Sequence, residues 1–173
     1  MSTLPIDSQP GTAQAWRLDP TRSSVEFQVP HFWGLMTVKG HFHSYEGSLT
    51  LGDSPAVKLT IDAASLHTGS AMRDKHLRTA DFFDVERHPQ VTFVSDTVSR
   101  DGDALTVGGT LSAGGGEVPL KVDATLTSDR GAEMDIEATA HVDQRTLGMT
   151  WSPLGVTRTP ATLIVKGRLI REQ

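Results

Sequence analysis

Cysteine is absent from this 173-residue chain, which excludes disulfides, thiolate metal sites and a cysteine nucleophile. No apolar run approaches the roughly 18 residues of a membrane-spanning helix, so no integral membrane segment is expected. Residues 1 to 11 carry neither the basic cluster nor the apolar core of a secretory signal, and a cytoplasmic location is the expectation. Excess positive charge is missing too: 16 Lys and Arg face 21 Asp and Glu, for a net charge of −5. The cations are scattered singly, so no nucleic-acid partner is expected. No Gly-x-Ser-x-Gly elbow, phosphate loop or His-Glu-x-x-His is found, so no catalytic residue, cofactor or enzymatic activity is assigned. Two prolines among Ser, Gln and Gly mark residues 1–14 as a disordered tail. Residues 15–173 are then one domain, long enough to bury roughly 70% of the unfolded chain's surface.

What the chain does have is a period of two from Trp16 onward. Val25, Phe27 and Val29 alternate with Ser24, Glu26 and Gln28, and Val38, Gly40 and Phe42 with Thr37, Lys39 and His41. The same alternation holds Leu49 and Leu51, then Val57, Leu59 and Ile61, then Val91 and Phe93. It continues through Leu105, Val107 and Leu111, then Val118, Leu120, Val122, Ala124 and Leu126. It ends with Met134, Ile136, Ala138, Ala140 and Val142, and with Leu163, Val165 and Leu169. These are eight or nine half-buried strands. Most are long for a sandwich of this size and suit the tilted wall of a barrel. Turns rich in Gly, Asp and Ser at 52–55, 100–103 and 128–131 join antiparallel neighbours, so a meander is expected.

Alternation stops between residues 70 and 88. Ser70 can cap a short helix over Ala71 to Leu77, and Thr79 a second turn carrying Asp81. His88-Pro89 then ends the helical stretch. Such an insertion between two barrel strands plugs or lids one end, with Phe82 and Phe83 as its apolar contacts. A second irregular stretch, 144–160, holds Leu147, Met149 and Trp151 and is long for a hairpin loop.

Thr68-Gly69, Arg73-Asp74-Lys75-His76-Leu77, Asp81-Phe82-Phe83-Asp84 and Pro89 ahead of the Val91–Phe93 strand follow one another in order. This run closely resembles the signature of the YceI-like family of polyisoprenoid-binding, lipocalin-like proteins. The opening Trp16-x-Leu18-Asp19-Pro20-x-Arg22-Ser23-Ser24-Val25-x-Phe27-x-Val29-x-His31 resembles the family's first strand, with Arg22 where a histidine is usual. Val38-x-Gly40-x-Phe42, Glu46-Gly47 and Gly109-Thr110-Leu111 continue the likeness. Gly114-Gly115-Gly116 replaces the usual Gly-Val-Thr, and Gln144-x-x-Leu147-Gly148 the usual Arg-x-x-Phe-Gly, with Arg145 one residue out of register.

The resemblance implies a lipocalin-like antiparallel β-barrel of about eight strands with a helical insertion. It further implies binding, sequestration or transport of an amphiphilic lipid, a polyisoprenoid or isoprenoid quinone first and a fatty-acyl lipid next. An eight-stranded barrel is wide enough either to be filled by side chains or to hold one small ligand. Large inward residues are mixed here with small ones such as Ala124, Ala138, Ala140 and Gly109, so the tube need not be full. The cavity would be lined by Phe27, Val29, Val38, Phe42 and Leu49 from the first half of the chain. Leu59, Ile61, Phe93, Leu120 and Val122 continue it, and Met134, Ile136, Leu163 and Val165 complete it. The mouth would hold His31, Trp33, Arg73, Asp74, His76, Phe82, Phe83 and Trp151. Paired strand edges and mouth aromatics are compatible with a homodimer.

Two other classes stay open beside lipid binding: an isomerase or dehydratase on a similar apolar substrate, with His31 or His76 and Asp74 as its groups, or a filled barrel binding only protein. Arg73 and Asp74 read either as a headgroup pair or as a latch that holds the insertion, and His76 likewise. His41 and His43 share one strand face, a spacing compatible with metal ligation if His31 is near, but no metal is assigned.

Overall fold

A computed structural model describes residues 13–31, 36–128, 131–147 and 160–172. Strands β1 (Gln14–Leu18), β2 (Ser24–His31), β3 (Met36–Phe42), β4 (Tyr45–Leu51), β5 (Ala56–Asp62) and β6 (Leu66–His67) precede the helix α1 (Ala71–Leu77). Five long strands follow: β7 (Gln90–Asp101), β8 (Ala104–Ala113), β9 (Gly116–Ser128), β10 (Glu133–Val142) and β11 (Ala161–Arg171). The expected tail lies outside the described residues up to residue 12, and Gln14 already pairs with Leu51.

Three of the barrel's walls are bent strands. β1 and β2 are two halves of one, parted by a 3₁₀ turn at Pro20–Arg22 that Asp19 caps by accepting from the Thr21 amide at 2.9 Å. Pro20 sets the turn's first φ, as the ring does at a helical start. β3 and β4 part at His43-Ser44, and β5 and β6 at a second 3₁₀ turn, Ala63–Ser65. Because β2 pairs with β3 and β1 with β4, while β4 pairs with β5 and β3 with β6, each bent pair runs as one antiparallel neighbour of the next. The result is a closed eight-stranded antiparallel meander.

Closure is made by β11, which lies along β10 on one edge and is shared on the other. Its first half pairs with β2 (Leu163 opposite Phe27) and its end with β1 (Leu169 opposite Leu18). Gly167 sits between the two pairings, where a Cβ would lie 2.1 Å from Ser23 Oγ. Glycine is needed at this corner because the Ser23 side chain, and behind it that of Leu18, occupies the space a Cβ would take.

The core follows the alternation. At the end carrying the β4–β5, β7–β8 and β9–β10 turns, Trp16, Leu49, Leu105, Leu126, Met134 and Leu169 are all buried, and that end is closed by side chains. In β7 the period slips at a bulge between Ser95 and Thr97, where Asp96 is the extra residue. Phe93 and Val98 therefore both face the core although they stand an odd five positions apart.

Candidate functional site

At the opposite end the inner wall is apolar but not sealed. Val29, Leu59, Val122, Leu163 and Val165 pack against the core yet remain half-buried, Val38 is half-buried opposite Val29, and Ile136 is half-buried nearer the closed end, opposite Leu126. Leu163 has Ala140 on one side and Phe27 on the other; Val165 has Ala138 and Val25. Phe27, Phe42, Leu49, Ile61, Phe93, Leu120 and Met134 are buried outright. The half-buried side chains keep accessible surface that these buried neighbours do not.

The insertion stands over this end. Ser70 caps α1 by accepting from the Arg73 amide. The helix is tied down by its charged side chains: Asp74, 4% exposed, accepts from both the amide and the hydroxyl of Thr68 through Oδ1. Arg73 donates from Nε to Thr68 Oγ1 and from Nη2 to the Thr68 carbonyl, each at 2.8 Å. Arg78 donates to the carbonyls of Ala64 and Leu66, which anchors the helix end to the β5–β6 bend. Sequence reading did not single out Arg78; its place, one residue past a seven-residue helix beside a bend, is the signal for such a role.

Beyond α1, 79–88 form hydrogen-bonded turns rather than a second helix, because the Thr79 carbonyl accepts from both the Phe82 and Asp84 amides and closes the chain too tightly. Asp84 there takes a left-handed backbone with φ 47°. Phe83 sets its ring edge-on to Phe42, centroids 5.9 Å apart, and Phe82 sets its ring against His76 at 5.2 Å. His76 Nε2 lies 2.9 Å from Asp81 Oδ2. Trp33 and Trp151 lie outside the described residues, as does the side chain of His31.

Two polar side chains of the inner wall were not singled out from sequence. Burial pushes the phenol of Tyr45, the chain's one tyrosine, above its ordinary pKa. The buried indole N–H of Trp16, at the closed end, has no acceptor among the described residues. On the outer wall Arg22 bridges Asp19 and Glu133, and Arg168 bridges Glu133 and Asp135. Hydrogen bonds from Arg22 and Thr21 hold the Asp19 carboxyl down at about 2, and Arg168 followed by Arg22 lowers that of Glu133. The residue standing where the family has a histidine is thus an ion-pair clasp between the β1–β2 turn and β10.

The fold matches known structures. BcnA of Burkholderia cenocepacia superposes with a TM-score of 0.78 at 19% identity, over 87% of this chain and 98% of that one. A polyisoprenoid binding domain from Saccharophagus degradans superposes with a TM-score of 0.73 at 15% identity, over 92% of this chain and 99% of that one. At such identities the likeness is one of fold. In sequence, Protein YceI of Escherichia coli O157:H7 is 39% identical over 106 residues, 59% of this chain and 55% of that protein. The matched stretch therefore spans about half the length of that relative. Among the described residues no helix is long and apolar enough to cross a membrane. The model of the YceI-like domain matches residues 16–166, from the first strand to the strand that closes the barrel upon it, and the chain belongs to that family.

Proposed function

We propose that this protein binds an amphiphilic isoprenoid lipid, a polyisoprenoid or isoprenoid quinone, and sequesters or transports it with the tail inside the barrel. The observation that carries this reading is the half-buried apolar lining from Val29 and Val38 at the open end to Val165 and Ile136 deeper in the wall. The description of the Saccharophagus degradans neighbour as polyisoprenoid-binding supports it. Burying about twenty methylenes at about 0.8 kcal/mol each contributes about 16 kcal/mol. Association costs of about 4 to 15 kcal/mol set against this leave room for micromolar or tighter binding. The reading is of binding and not catalysis, since Arg73, Asp74 and Arg78 make hydrogen bonds that hold the insertion in place.

Lipid should accompany the protein from its expression host. Organic extraction of purified protein followed by mass spectrometry is expected to release a long-chain lipid in stoichiometric or near-stoichiometric amount. Protein that yields none, and takes up none when offered polyprenols, quinones or fatty acids, would overturn the reading.

A further inference from the structure

Outside the barrel stand three histidines that lipid binding does not use. Gly40 and Phe42 turn one face of β3 to the core, so His41 between them projects outward. His43 follows two residues on. The β3–β6 register sets His67 directly opposite His41, with Leu66 beside it buried and His67 itself exposed. The ring centres lie 4.5 Å apart for His41 and His43, 5.4 Å for His41 and His67, and 5.7 Å for His43 and His67. Two imidazoles on one tetrahedral ion, each with its nitrogen about 2.0–2.1 Å from the metal, have ring centres about 5 Å apart. The three observed separations bracket that value.

Asp74 places a carboxylate behind His67, at ion-pair and not hydrogen-bond distance. Its Oδ1 is held by Thr68, and its Oδ2 lies 3.6 Å from Nδ1 of His67. A carboxylate on one ring nitrogen fixes the orientation of the ring and leaves the other nitrogen as the ligand. His31, by contrast, is remote in register: it pairs with Met36, whereas His41 pairs with Glu26, five strand positions or about 16 Å away. In the resting arrangement the imidazoles stand edge to face or tilted, and among the described residues no three such groups converge on a common point. His43 and His67 are exposed and His41 is half-buried, and exposed side chains change rotamer within nanoseconds, so the rings can turn toward a shared ion.

We propose that His41, His43 and His67 bind one late first-row divalent metal ion, copper(II) or zinc, on the outer wall of the barrel. An all-imidazole ligand set suits these ions and not magnesium or calcium, and copper(II) should bind more tightly than zinc. The fourth position faces solvent and stays open to water or an exchangeable ligand.

The test is calorimetric titration of the metal-free, full-length protein with CuCl2, ZnCl2 and MgCl2. One copper(II) or zinc ion per chain and no magnesium binding are expected. His41→Ala, His43→Ala and His67→Ala should each weaken binding at least tenfold, while the paired control His88→Ala/His141→Ala leaves it unchanged. Wild-type protein gives a second readout that needs no variant: substoichiometric copper(II) should selectively broaden the imidazole NMR signals of these three of the seven histidines. Absence of saturable binding, binding that survives the three substitutions, or broadening centred on other histidines would overturn the proposal.

Discussion

Phe27 covers Gly40, its direct partner across β2 and β3: a Cβ at Gly40 would fall 2.3 Å from Phe27 Cζ. The ring occupies the space that the missing side chain leaves, and the same ring lies 5.4 Å from Phe42. Gly109, paired with Ser95, also makes room for a ring: a Cβ there would fall 2.4 Å from the Val94 carbonyl oxygen and 2.7 Å from Phe93 Cζ. Two of the largest inner side chains are thus accommodated by glycines on neighbouring strands.

Filling that space should be costly. Gly40→Val is expected to destabilise by about 2–3 kcal/mol and Gly40→Ala by about 1–2 kcal/mol, the range for overpacking a core. Urea denaturation measures both; an unchanged midpoint for Gly40→Val would show that Phe27 can move aside without loss.

The two insertion phenylalanines should not behave as fully buried rings. Both are half-buried against the core; Phe83 sets its ring edge-on to the buried Phe42, and Phe82 sets its ring against His76. Emptying a buried aromatic site costs about 3–5 kcal/mol, so Phe83→Ala should cost about 2 kcal/mol and Phe82→Ala about 1 kcal/mol. Thermal unfolding of the two variants gives the order, and the reverse order would detach Phe83 from the core.

Acid should unclasp the outer wall. The native pKa of Asp19 lies below its ordinary value, so its contribution to stability is fully present above about pH 4 and is lost as pH falls toward 2. The lowered Glu133 acts in the same direction. The melting temperature of the wild type should therefore fall between pH 4 and pH 2. Asp19→Asn and Glu133→Gln should melt lower than wild type at neutral pH and show a shallower fall over that interval.

Lipid retention should depend on the inner wall and not on metal. Leu163→Arg puts a guanidinium between Ala140 and Phe27, where an unpaired charge is strongly disfavoured, and should abolish retention of extractable lipid. Treatment of wild-type protein with a chelator should leave retention unchanged, since the three clustered histidines lie on the opposite side of the wall. Equal lipid content in the Leu163→Arg variant would remove the interior as the site.

Much of this architecture could be read from the alternation of residues alone. Val25, Phe27 and Val29, or Met134 to Val142, declare one inner face because the strand period is two, and the cap at Ser70 fixes where α1 begins. β7 was legible only at Val91 and Phe93, because the bulge after Ser95 changes the phase on which such reading depends. Nothing in the sequence announces the bends at His43-Ser44 and Ala63–Ser65. Nor does it announce that His67 meets His41, since register between strands more than twenty residues apart is a property of the assembled sheet. Burial of Asp74 was hidden for a more local reason: its partner Thr68 is six residues away on the far side of a turn.

The shared edge of β11 also dictates when the barrel can exist. The Arg168 amide donates to Ser23 Oγ across 145 residues of chain, and every pairing that shuts the cylinder joins strands that far apart or nearly so. Contacts between such distant segments are slow to form, because the loop entropy is lost before they contribute. A ribosome that has made β1 through β10 holds a curled sheet with two free margins and an uncovered greasy face. Until the last strand is delivered, the growing chain leaves that apolar face open to water, and only β11 turns the trough into a cylinder.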